Sequence, residues 1–99
     1  MTVRAKFTIT KIERTLAQHP DKSGAKDERG YPKYVPTEMW TIHGTPVYGN
    51  GDPAHENTKF WQASPQGSLV LGTVNPDAVS QFEIGREFYV DFTPAVPAV

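Results

Sequence analysis

Val3, Ala5, Phe7 and Ile9 alternate with Arg4, Lys6, Thr8 and Thr10. Side chains with a period of two lie on opposite faces of a pleated strand, so this stretch predicts a strand with one buried face. The same period returns near the other end of the chain. Phe88, Val90 and Phe92 there alternate with Tyr89, Asp91 and Thr93. Two half-buried strands at opposite ends of a 99-residue chain point to a β domain.

The segments between them are short and rich in turn residues. Gly 8 and Pro 9 punctuate the chain, a pattern of short strands rather than long helices. Residues 17–30 are polar and broken by Pro20, Gly24 and Gly30, which predicts a long exposed loop. Residues 34–48 form a second β-like segment with Trp40 and Ile42 as core candidates, and 49–57 form a second loop. The run F-W-Q-A-S-P-Q-G-S-L-V-L from Phe60 predicts a hairpin. Ser64-Pro65-Gln66-Gly67 supplies its turn, since proline presets φ and glycine takes positive φ. In that register Trp61, Ala63, Leu69 and Leu71 share the core face, and Phe60 covers Gly72 from the other. Asn75-Pro76-Asp77 is a helix start: a cap, a first-turn proline and an acid at the positive dipole end. The tail 94–99, P-A-V-P-A-V, is expected to lie extended.

The expected architecture is a single all-β domain with minor α content. It is a small five-stranded barrel, SH3-like in preference to OB-like, with one short helix before the last strand. The chain has no cysteine, which rules out disulfides and thiolate metal sites. Neither a signal-peptide core nor an apolar run of roughly 20 residues occurs, so no membrane association is expected.

Chemistry is sparse. His19, His43 and His55 lack metal-ligand spacing, and His55 beside Asp52 and Glu56 reads as a solvated loop. No nucleophile motif and no phosphate-binding glycine loop is present. Glu83, Glu87 and Asp91 read as the outer face of the last strand. The expectation is therefore a non-enzymatic protein without cofactor or metal. One binding set stands out. Arg4, Lys6 and Arg14 lie along the first strand, and Lys59 and Phe60 open the hairpin. Cations beside an exposed ring suit single-stranded nucleic acid. Against this, eleven acidic residues offset ten basic ones, and phosphate binding needs local positive charge.

V-R-A-K-F, F-W-Q-A-S-P-Q-G-S-L, V-N-P-D-A and F-E-I-G-R-E-F-Y-V-D-F-T-P together resemble a group of small tailed-bacteriophage proteins, over residues 3–14 and 58–94. The resemblance implies a phage protein of the host cytoplasm or the virion. Its expected partners are other phage protein subunits, with a homo-oligomer open. The leading expectation is a virion-associated or accessory assembly protein. The alternatives are a single-stranded nucleic-acid-binding barrel and an inhibitor or ligand sponge acting on host defence.

Overall fold

The structure is a computed structural model that describes residues 3–96. Four strands and two short helices follow in the order β1 (Val3–Pro20), β2 (Tyr34–Pro46), α1 (Glu56–Trp61), β3 (Leu69–Thr73), α2 (Pro76–Val79) and β4 (Glu87–Phe92). The strands form one antiparallel sheet in the order β3-β2-β1-β4. The first and last strands pair: Ala5 lies opposite Val90 and Phe7 opposite Phe88.

The expected five-stranded barrel is not formed. The sheet has four strands and stays open, with β3 at one edge and β4 at the other. The reason lies in residues 56–61, which coil into α1 instead of supplying a fifth strand. The expected hairpin of 58–63 with 68–74 is lost with it, and β3 pairs with β2, Ile42 opposite Leu71. Phe60 therefore does not cover Gly72; the methyl of Met39 comes closest to where a side chain at Gly72 would point.

Two unusual caps make α1. The His55 ring accepts through Nδ1 from the Asn57 N–H, and Gln62 closes the helix in the left-handed region at φ 51. Gly49 admits the preceding turn against the helix, since a Cβ there would fall 2.4 Å from Thr58 Oγ1. The helix then stands where β2 would have continued. β2 pairing ends at Pro46, opposite Phe7, and leaves the next stretch of β1 without a strand beside it. Asn57 fills the gap. Its Oδ1 accepts from the Lys6 N–H (2.6 Å), while Nδ2 donates to the carbonyls of Lys6 and Val47 (2.7 Å each). Asn57 is fully buried.

The core is small. Ala5, Phe7, Ile9 and Ile42 are its buried apolar side chains among the described residues. Trp61 sets its edge toward Phe7 at 6.3 Å, and Phe60 bridges Trp61 and Phe92. Phe82, after α2, covers Phe88 at 5.0 Å. The helix start at Asn75 is as expected, with its side chain accepting from the Asp77 N–H.

The expected loop at 17–30 is partly strand. β1 runs to Pro20, and with β2 it forms a two-stranded arm beyond the reach of β3 and β4. The tip, residues 21–33, is folded by Asp21 and Asp27, whose side chains accept from backbone N–H groups of Ser23, Arg29 and Tyr31. The arm stretches the molecule to 62 × 39 × 20 Å. Of the tail, 94–96 is exposed, and 97–99 lies outside the described residues.

Replacing Asn57 by Ala leaves the Lys6 N–H and the Val47 carbonyl without this partner in a buried place, while the Lys6 carbonyl keeps the Val47 N–H. Each unsatisfied group costs about 1–3 kcal/mol. The expected loss is about 2 kcal/mol or more in a urea titration. A loss below about 1 kcal/mol would show that α1 is not anchored this way.

Candidate functional site

Arg4 and Lys6 lie on the face of the sheet opposite the core. Arg4 donates from Nε to Asp91 Oδ1 (2.6 Å) and from Nη2 to Oδ2 (3.0 Å), and its guanidinium lies over the Tyr89 ring at 4.6 Å. This forked geometry joins β1 to β4 from side chain to side chain. Lys6 Nζ sits 3.3 Å from Glu56 Oε1 and 3.6 Å from Glu87 Oε1, and 5.3 Å from the Tyr89 centroid. Glu56 Oε1 is buried, and Lys6 meets it as an ion pair rather than a well-directed hydrogen bond.

These contacts shift the titrations of both signs. The hydrogen bonds from Arg4 hold Asp91 below its ordinary value, and Asp91 raises Arg4 in turn. Glu56 is lowered first by its own backbone N–H at the start of α1, then by Lys6. Lys6 is raised, chiefly by Glu56.

Three members of the expected binding set come together. Arg4, Lys59 and Phe60 line one groove with Val3 and Glu56, about 360 Å³ in volume. A neighbouring groove of about 470 Å³ runs between Val3, Phe92 and Pro94. Lys6 stands beside this set through Glu56. Arg14 does not join it. It lies ten residues further along β1, about 30 Å away at strand spacing, and faces Glu38 at 3.6 Å. Arg4, Lys6 and Arg14 are thus each matched to a carboxylate before any ligand arrives. Phe60 is half-exposed but leans on Trp61 and Phe92.

The histidines are dispersed. His55 caps α1, His19 ends β1, and His43 Nε2 meets Glu13 Oε1 at 2.7 Å at the base of the arm. Glu13 is lowered by His43 first, with Lys11 adding to it. No group of three or more metal-binding side chains occurs among the described residues. No helix among them is long and apolar enough to cross a membrane.

The arm is the surface that the expected binding set leaves out. Leu16 is 71% exposed, Tyr31 64% and Tyr34 60%. Its parity is disguised in the sequence. The pairing register shifts between Ile9 and Lys11, so the buried series Ala5, Phe7, Ile9 continues on the same face as Ile12, Arg14 and Leu16. One extra residue in a strand does this. The signal was the three-residue step from Ile9 to Ile12. No protein-family model matches this chain, and no curated protein or solved structure matches it.

Because the pKa values of Asp91, Glu13 and Glu56 are depressed by folding, the stability they contribute is present above the ordinary carboxylate range. It is lost as pH falls through their folded values. The urea midpoint should fall steadily between about pH 5 and pH 3. Asp91→Asn should make that fall shallower. A midpoint flat across this range would contradict the ion pairs.

Proposed function

We propose that this is a non-enzymatic subunit that works by docking on other protein subunits, as a virion-associated or accessory assembly protein of a tailed phage. The observation that carries the reading is the mismatch between core and surface. The chain exposes 7426 Å², whereas a compact monomer of its mass exposes about 5,600 Å². Its radius of gyration is 18.6 Å, against about 13 Å for a compact domain of this length. Four buried apolar side chains among the described residues are a small core for that much surface. A protein built in this way leaves surface for a partner to cover, with Leu16, Tyr31 and Tyr34 exposed on it. The phage assignment rests on the sequence resemblance, and the non-enzymatic one on the lack of catalytic motifs.

The nucleic-acid alternative is weakened at its own residues. A phosphate approaching Arg4, Lys6 or Arg14 must compete with Asp91, Glu56, Glu87 or Glu38 for the cation. Counterion release, the usual source of affinity, is reduced when the counterion is a fixed carboxylate.

Two measurements check this. Mass spectrometry of purified particles of the encoding phage should detect the chain, and its absence contradicts the assembly role. A labelled single-stranded oligonucleotide should show no binding at low salt. Tight binding that falls steeply with salt and weakens in Lys6→Ala would favour the nucleic-acid reading instead.

A further inference from the structure

The backbone bonds of the arm show which of its edges is open. The N–H and carbonyl of Lys6 turn toward Val47 and Asn57, on the β2 side, and those of Ile9 turn toward Arg86 and Gly85, on the β4 side. Beyond the register shift, the Asp21 N–H turns to the Lys33 carbonyl, again on the β2 side. Backbone groups alternate sides along a strand. Counting back from Asp21, the groups of His19, Ala17, Thr15 and Glu13 face β2. Those of Ile12, Arg14, Leu16 and Gln18 face away from it. β4 pairs with β1 only from Val3 to Thr8, so this second set meets no strand.

Natural edges of this length are normally blunted by proline, inward charge or a covering segment. The β2 edge of the arm follows that rule: Pro36 and Glu38 stand on its open side. The β1 edge has a proline only at its far end, Pro20, and between Arg14 and that proline it carries Leu16, highly exposed. An isolated two-stranded ribbon is also marginal in water, and a third and fourth strand relieve that.

We propose that the Ile12–Pro20 edge of β1 pairs antiparallel with the same edge of a second copy of this chain, across a two-fold axis at Leu16. The inference rests on the assembly reading and names the partner and the surface. Register decides the position of the axis. Centred on Arg14, like charges would oppose each other, which is unfavourable. Centred on Leu16, that side chain meets the partner's Leu16, and Arg14 meets the partner's Gln18. On the other face Glu13 then stands opposite the partner's His19, and Lys11 opposite the partner's Asp21. The Lys11–Asp21 pair is complementary in charge and the His19 ring can donate to Glu13, and the two-fold symmetry repeats each pair. A closed two-fold contact uses the edge up and stops there, which prevents open-ended stacking.

The test uses the full chain. Light scattering after gel filtration should give twice the 11.0 kDa chain mass at micromolar concentration. Leu16→Pro removes an outward N–H and the side chain at the axis but no bond to β2, so it should yield a monomer with an unchanged circular dichroism spectrum. Because the chain has no cysteine, Leu16→Cys reports directly on proximity. Opposed residues in such a pair lie about 5.5 Å apart at Cα, within disulfide reach. It should form a disulfide-linked dimer under mild oxidation, at least tenfold faster than the exposed control Gln66→Cys. A monomer at every concentration, a dimer that survives Leu16→Pro, or equal rates for the two cysteines would each overturn the proposal. Should Leu16→Pro fail to fold, the cysteine rates decide. A monomer that is nonetheless found in phage particles removes the self-pairing and leaves the assembly reading intact; a dimer absent from particles does the reverse.

Discussion

Three hydrogen bonds from one buried carboxamide hold the two halves of this molecule together. Asn57 supplies a donor and an acceptor to Lys6 and a second donor bond to Val47, the pairing that a neighbouring strand would have given. A sheet edge inside a protein needs such partners, because unpaired backbone groups away from water are costly. With Asn57 in place, six residues of helix stand in for a strand. Phe60 and Trp61 then reach over Phe7 and Phe92 to close the core. Without it, only the Lys6–Glu56 ion pair would tie α1 to β1 by polar contact, and β1 would have an open edge on both sides of its bulge.

The same substitution keeps the sheet from becoming a barrel. A closed barrel would consume the edges of β3 and β4 and curl the long strands inward. Here the sheet stays open, and β1 and β2 run past their neighbours into the arm. What is lost in burial reappears as accessible surface along that arm. The Arg4–Asp91 fork and the Lys6 pairs knit β1 to β4 and α1 on the opposite face. They act as struts of the body rather than as waiting ligands, which moves attention from the basic face to the arm.

Much of this was legible in the residues and some was not. The alternation in β1 and β4 and the Asn75 cap are strong local signals, and each stands where its pattern places it. The helix at 56–61 left little trace. Its caps are histidine and a left-handed glutamine, neither a common choice, and Asn57 and Thr58 are weak helix formers. Tertiary bonds to Lys6 and Val47 decide its place, and nothing local announces them. The extension of β1 to Pro20 was hidden by the bulge, which moves the apolar residues from odd to even positions and makes the strand look broken. For the binding set, the grouping of Arg4, Lys59 and Phe60 was readable from charge and aromaticity, but the carboxylates that neutralise the arginine and its neighbour Lys6 come from β4 and α1. Arg14 belongs to another part of the molecule.

Hydrogen exchange along β1 tests the central claim, a subunit whose arm is completed by a partner, most directly. The amides of Glu13, Thr15, Ala17 and His19 face β2 and should be protected at any protein concentration. Those of Ile12, Arg14, Leu16 and Gln18 should exchange freely in dilute solution and become protected as concentration rises, because only a second chain can cover them. Outward amides that exchange as fast as open chain at every concentration would contradict the account.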